Sequence, residues 1–115
     1  MEIDTSHIDG VTIVIPRGDL DFHTSRQMTQ TLSGLITAGY AKLIVDVGSV
    51  VHIDSAGLAA LMAGVRQARE AGGDLRLCNV QDAVRSILEL TRLIHLLAVH
   101  PTRQAAIASW AHAAG

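Results

Sequence analysis

The pattern of residues at the start of the chain predicts a β-hairpin. Two strand-like runs, 3–8 and 11–15, are separated by Asp9-Gly10, a pair that tolerates the positive φ angles of a tight turn. The second run is β-branched throughout, which favours an extended strand. Pro16 and Gly18 are predicted to end it.

A helical repeat of apolar residues begins after residue 24. Thr24 and Gln27 have the spacing of a capping box, and Gly39 is expected to end the helix. The apolar positions that share one face of this helix are Met28, Leu32, Leu35 and Ile36. The short apolar run Lys42–Val47 then predicts a buried strand.

The rest of the chain continues to alternate between helices and strands. A second helix is predicted from Ser55 to the Gly72-Gly73 pair, and a third begins near Asp82. A last helix is expected to start at Pro101-Thr102. Strands are predicted at Asp74–Val80 and Leu96–Val99, and the apolar positions of the second and third helices are Leu58, Leu61, Met62, Val65, Ala68, Val84, Ile87, Leu88 and Leu90.

This order, a hairpin followed by alternating helices and strands, is typical of a small α/β domain. Neighbouring parallel strands are joined by right-handed crossovers, so we expect a mixed β-sheet with helices packed on it. At 115 residues the chain is predicted to be one domain, 1–115, with no linker and no repeat. Leucine and alanine stripes bring the helices close to the sheet, which predicts a protein that works through its surface.

The amino-acid composition limits the classes of partner that the chain is expected to bind. Aromatic residues make up 3% of the chain and the formal net charge is −2, so few rings can stack on bases and no basic field attracts phosphates. We therefore expect no binding to nucleic acid or to a membrane, and predict a protein partner. The start of the chain is acidic, without a basic leader or a long apolar run, which predicts a cytoplasmic protein.

Metal and cofactor chemistry find no support in the sequence. The single cysteine, Cys78, has no thiol companion, and the six histidines include no helical pair at ligand spacing. No glycine-rich phosphate loop of the P-loop or dinucleotide type is present. We predict neither a metal site nor a cofactor.

The segment most suggestive of function is 54–58, Asp-Ser-Ala-Gly-Leu. Its aspartate and serine follow a strand-like region and lie at the predicted start of a helix. Asp54 and Ser55 are both preferred N-cap residues, so a local structural role explains either. Gly57 is harder to explain, because glycine costs about 1 kcal/mol of helix propensity. The pattern favours the interpretation that Gly57 leaves the helix surface open to a partner.

This segment, preceded by the strand Leu43–Val47, resembles the motif of anti-sigma-factor antagonists of the STAS domain family. Three further segments also resemble the family and occur in the same order along the chain as in its members. They are Gly18–Asp21 before a threonine-led helix, Ala71–Leu77 and Ala83–Thr91. The resemblance covers nearly the whole chain and implies the family's small α/β fold.

In that family the serine directly after the motif's aspartate is phosphorylated by a partner anti-sigma factor that is also a serine kinase. The matching residue is Ser55. The resemblance implies that the unphosphorylated chain binds this kinase, which frees a sigma factor, and that phosphorylation ends the binding. The chain is then a substrate and not an enzyme: ATP and magnesium belong to the kinase, and a metal-dependent serine phosphatase reverses the reaction.

The resemblance also implies a partner-binding surface around Ser55. Acidic residues of the first loop lie near the phosphorylation site in family members, and the matching residues here are Asp19 and Asp21. Asp54 is expected to orient the serine or the helix start. The predicted partner-binding residues are Asp19, Asp21, Asp54, Ser55, Gly57, Leu58 and Met62.

Two other functions, a hydrolase and a phosphoaspartate receiver, are disfavoured by the sequence. A hydrolytic triad of His52, Asp54 and Ser55 is disfavoured because the three are nearly adjacent in sequence and no glycine precedes the serine as in a nucleophile elbow. A phosphoaspartate receiver would need a lysine near a late strand, whereas the only lysine is Lys42. A STAS scaffold subunit that binds an ATPase of a transport assembly without switching stays open, as does a homodimer.

Overall fold

The predicted small α/β architecture is confirmed by a computed structural model, which describes residues 1–113. Ala114 and Gly115, at the end of the predicted domain, lie outside the described residues. The strands are β1 (Glu2–Ile8), β2 (Val11–Arg17), β3 (Lys42–Asp46), β4 (Asp74–Cys78) and β5 (Ala98–His100). The helices are α1 (Ser25–Thr37), α2 (Ser55–Glu70), α3 (Asp82–Leu90) and α4 (Arg103–Ala113), with a short 3₁₀ turn at Leu93–His95.

The sheet is mixed, and its strands lie in sequence order, β1-β2-β3-β4-β5. β1 is antiparallel to β2, and each later neighbour is parallel to the one before it. One face of the sheet forms a large apolar core with α1, α2 and α3, while the other face packs against α4 in a smaller core. The carboxyl ends of β2 and β3 therefore meet at one edge, where their loops lie side by side.

The N-terminal hairpin is confirmed, with one change at its end. Asp9 and Gly10 both have positive φ, 52° and 78°, as a two-residue turn of this kind requires. β2 continues through Pro16, which still pairs with Ile3, and ends at Arg17, directly before the predicted Gly18. β3 pairs with β2 only over Thr12–Val14, so the N–H that proline lacks is not needed for a bond to β3.

The predicted capping box at the start of α1 is wrong. The Thr24 hydroxyl makes no cap bond to the helix; instead it donates to the Asp19 carbonyl oxygen at 2.7 Å and accepts from the Asp21 amide at 3.0 Å. The Gln27 amide nitrogen donates to the Met1 carbonyl oxygen. Both side chains therefore bond to residues outside the helix and leave its first amides without a side-chain cap.

Two predictions near the C-terminal half also need correction. Leu90, expected on the apolar face of α3, is 84% exposed at the last position of that helix. β5 begins at Ala98 and not at Leu96, because the 3₁₀ turn occupies the preceding residues and leaves Leu96 exposed. Both leucines lie where a helix or turn ends, beyond the reach of the sheet.

A buried carboxylate attaches α4 to the sheet. Asp46 accepts hydrogen bonds from the Gly48 amide at 2.9 Å, the Asn79 side chain at 3.1 Å and the Arg103 guanidinium at 2.7 Å. Burial alone would raise the pKa of Asp46, but these donors and the Arg103 charge outweigh it and lower the pKa below its ordinary value. Asp46 is therefore ionised at neutral pH and holds the first turn of α4.

Candidate functional site

Two loops form the site, one after β2 and one after β3. Leu20 in the first loop bridges Ile53 in the second like a pair of short parallel strands. The Leu20 amide donates to the His52 carbonyl oxygen, and the Asp54 amide donates to the Leu20 carbonyl oxygen, both at 3.1 Å. The loops therefore behave as one continuation of the sheet.

Two of the predicted acidic residues fasten these loops from opposite sides. Asp19 Oδ1 accepts from the His52 amide at 3.1 Å, so the first loop holds the second. Asp54 Oδ2 accepts from the Phe22 amide at 2.9 Å, so the second loop holds the first. Asp19 and Asp54 therefore lie on the two paired loops, and backbone amides engage both carboxylates.

Asp21 has a more local role. Its Oδ1 accepts from the His23 amide at 2.8 Å and from the Thr24 amide at 3.2 Å, which stabilises the turn leading into α1. The side chain remains partly exposed. Asp21 therefore shapes the loop and still presents a carboxylate edge to solvent.

The N-terminus of α2 presents Ser55 to solvent. Asp54 is the N-cap: its Oδ1 accepts from the Gly57 amide at 2.9 Å and so stabilises the helix start. Ser55, the first residue of the helix, is exposed. A hydroxyl at this position lies beside unpaired helix amides and the positive end of the helix dipole.

The same hydrogen bonds make Asp54 a stronger acid. The Gly57 amide has the largest effect on the Asp54 carboxylate, and together with the Phe22 amide it outweighs the opposing effect of burial and lowers the pKa of Asp54 below its ordinary value. Asp54 is fully charged at neutral pH. Both of its oxygens are occupied by backbone donors.

The substitution Asp54→Asn is expected to make the stability of the fold depend less on pH in the acidic range. Because the pKa of Asp54 is lower in the folded than in the unfolded chain, its contribution is present above the unfolded value of about 4 and is lost as pH falls through the folded value. Asp54→Asn keeps a capping oxygen that cannot titrate. Its melting temperature should fall less than that of the wild type between about pH 6 and pH 2.

The control for this measurement is Asp82→Asn. Asp82 is an exposed acidic residue in the first turn of α3, and among the described residues its side chain accepts no hydrogen bond. Its pH profile should run parallel to that of the wild type. A profile for Asp54→Asn as steep as the wild-type profile would contradict the role assigned to the Asp54 hydrogen bonds.

The interpretation of Gly57 as an opening for a partner is wrong. Gly57 is buried, and a Cβ atom placed on it would lie 2.2 Å from the Leu20 carbonyl oxygen and 2.7 Å from its carbon. The glycine is needed because the first loop crosses directly over the first turn of α2. Its partner is the chain's own backbone.

Two other predicted contact residues lie partly or wholly in the core. Leu58 is 9% exposed and belongs to the large core beneath the site. Met62 is half-buried against the same core and keeps part of its side chain at the surface. Gly57 and Leu58 therefore support the surface from below, whereas Ser55 and Met62 reach solvent.

Phe22 and Arg26 were not predicted from the sequence as part of the site. Phe22, the only phenylalanine of the chain, is 76% exposed in the first loop. Arg26 lies with Ala56 and Ala59 along a groove between α1 and α2. A single large apolar residue between two polar ones in a predicted loop was the available signal for Phe22.

The geometry offers no support for a hydrolytic site. Both Asp54 oxygens bond to backbone amides, and none of the hydrogen bonds in residues 1–113 joins the His52 ring to Asp54 or Ser55. Burial raises the pKa of the Cys78 thiol to about 12, so that thiol is not a nucleophile at neutral pH. Within the described part of the chain, no three His, Cys, Asp or Glu side chains are placed to hold a metal ion.

The helices of residues 1–113 are all too short or too polar to cross a lipid bilayer.

Known proteins resemble this chain over nearly its full length. BtrV of Bordetella bronchiseptica, a candidate anti-sigma factor antagonist, is 27% identical over 110 residues, which cover 96% of this chain and 95% of BtrV. The anti-sigma F factor antagonist of Paenibacillus polymyxa is 24% identical, with 87% and 86% covered. The crystal structure of a candidate anti-sigma factor antagonist from Thermotoga maritima shares the fold with a TM-score of 0.89 at 21% identity, covering 93% and 92%.

The profile of the STAS domain matches residues 2–106, which include every strand, both paired loops and the Asp54-Ser55 motif. This span is far more than half of the chain. The chain therefore belongs to the STAS domain family.

Proposed function

We propose that this protein is an anti-sigma factor antagonist whose binding is switched by phosphorylation of Ser55. The observation that carries the proposal is the exposed Ser55 hydroxyl on the first residue of a helix capped by Asp54. The names of two full-length relatives support the general function, since both describe anti-sigma factor antagonists.

The helix start accommodates a phosphate without unfolding. In the reaction, Ser55 Oγ forms a bond to the γ-phosphorus of ATP, the bond from that phosphorus to ADP breaks, and the hydroxyl proton passes to a base of the kinase or to water. The product carries about −1.5 to −2 charge next to the unpaired amides and the positive dipole end of α2. ATP and magnesium are held by the kinase, so the chain acts as a substrate.

The partner in this proposal is an anti-sigma factor with serine kinase activity, met in the cytoplasm. The unphosphorylated chain occupies it and so frees a sigma factor. The contact surface surrounds Ser55 and includes Asp21, Met62 and the exposed edges of Asp19 and Asp54, with Gly57 and Leu58 beneath it. A metal-dependent serine phosphatase returns the chain to its binding form by hydrolysis with water.

Phosphorylation in a purified system tests the proposal. Wild type, Ser55→Ala and a sigma factor bound to its serine-kinase anti-sigma factor, all from the source organism, are combined with ATP and magnesium. Wild type should displace the sigma factor and gain one phosphate at Ser55 by mass spectrometry. Ser55→Ala should displace the sigma factor without gaining phosphate.

Two results would contradict the proposal. If neither protein displaces the sigma factor, the chain is not an antagonist of that complex. If the chain instead binds an ATPase of a transport assembly and Ser55 stays unmodified, it is a scaffold subunit and Ser55 serves only the helix start.

A further inference from the structure

Phe22 is a large apolar side chain that contributes little to its own fold. Its ring is 76% exposed, although the chain has only three aromatic residues besides histidine and buries most of its large apolar side chains. The ring lies edge-on to His23, with centroids 5.7 Å apart. Contact with an apolar surface of a partner would remove this ring from water, which is favourable.

The backbone that carries Phe22 is held in place. Its amide donates to Asp54 Oδ2 at 2.9 Å, the next amide donates to Asp21 Oδ1 at 2.8 Å, and Leu20 makes two backbone bonds to the second loop. The first loop is therefore ordered before any partner arrives. A pre-organised aromatic side chain binds with little further loss of entropy.

The two helices that follow the paired loops, α1 and α2, carry exposed apolar and positively charged positions. Four residues of α2 form one strip along the helix, because their positions around the helix axis differ by at most about 60°. They are Ser55, Ala59, Met62 and Arg66. Arg26 lines the adjacent groove with Ala59. Arg26 and Arg66 are exposed, and no carboxylate of the described residues lies within 4.0 Å of either. Of the acidic residues in the paired loops, Asp19 and Asp54 are engaged by backbone amides, and Asp21 accepts two amides while keeping a partly exposed edge.

We infer that Phe22 is the anchor by which the serine-kinase anti-sigma factor holds this chain, an inference that rests on the proposed function. The partner presents an apolar pocket for the ring, and carboxylates elsewhere on the same surface of the partner face Arg26 and Arg66. Phe22 is a recognition residue, since it sets binding and takes no part in phosphoryl transfer. Aromatic side chains at the centre of an interface commonly contribute most of its affinity.

The test measures Ser55 phosphorylation by the purified kinase as a function of substrate concentration. Phe22→Ala should raise KM about 30-fold, equal to about 2 kcal/mol, and leave kcat unchanged. Its melting temperature should equal that of the wild type, because the ring is exposed. The matched control is Leu90→Ala, which removes a side chain that is 84% exposed on α3 and should leave KM unchanged.

A charge reversal tests the chemistry of the pocket. Arg26→Glu together with Arg66→Glu should slow association with the kinase about tenfold at low salt, and added salt should narrow the difference. If Phe22→Ala has the KM of wild type, the anchor is overturned while the proposed function stands. If the kinase does not phosphorylate wild type, the proposed function and the anchor fail together.

Discussion

Replacing Gly57 by alanine is expected to lower the free energy of unfolding by about 3 kcal/mol, and the melting temperature by about 10–15 °C. The added Cβ would lie 2.2 Å from the Leu20 carbonyl oxygen, well inside contact distance. That oxygen cannot move aside easily, because it accepts the Asp54 amide at 3.1 Å and the Leu20 side chain is fully buried. The strain would separate the paired loops or tilt the start of α2.

Thermal unfolding of Gly57→Ala beside Gly34→Ala checks this expectation. Gly34 lies in the interior of α1, and a Cβ there meets nothing within 4 Å. Gly34→Ala should stabilise the protein by up to about 1 kcal/mol, because alanine is the better helix former. Equal melting temperatures for Gly57→Ala and wild type would show that the first loop does not cross the helix as described.

The same geometry reverses an expectation based on sequence alone. With Gly57 interpreted as an open position, Gly57→Arg should reduce docking more than stability. Because Gly57 is buried under Leu20, the loss of stability is now expected to dominate, and any loss of binding follows from it.

Phosphorylation of Ser55 is expected to weaken binding to the kinase at least about 100-fold. A doubly charged group placed in a desolvated interface without a partner costs several kcal/mol, and each 1.4 kcal/mol is about tenfold in affinity. The Asp54 carboxylate, ionised next to Ser55, adds repulsion. Ser55→Ala should bind like unphosphorylated wild type, and Ser55→Glu should weaken binding in part, since glutamate carries less charge than phosphate.

Calorimetric titration of the four forms with the kinase, in the absence of ATP, measures this effect. Ser86→Glu is the matched control, because Ser86 is exposed on α3 and a charge there should leave affinity unchanged. Equal affinities for phosphorylated wild type, Ser55→Ala and Ser55→Glu would rule out a phosphorylation switch. An equal loss for Ser86→Glu would assign the effect to net charge.

Local features of the chain were predictable because neighbouring residues determine them. The turn at Asp9-Gly10 depends on two residues that tolerate positive φ, and both adopt it. The cap at Asp54 depends on one side chain and an amide three residues later. The capping box at Thr24 failed for the opposite reason, since residues from another part of the loop and the N-terminus took its side chains.

By itself, the sequence determined the order of the elements, the mixed α/β class and the position of Ser55 at a helix start, because apolar periodicity and capping act over a few residues. The tertiary structure alone decided what surrounds Ser55. The bonds of Asp19 to His52 and of Asp54 to Phe22 join residues 33 and 32 positions apart. Such contacts exist only once β2 and β3 lie side by side, and they are what buries Gly57 and leaves Phe22 exposed.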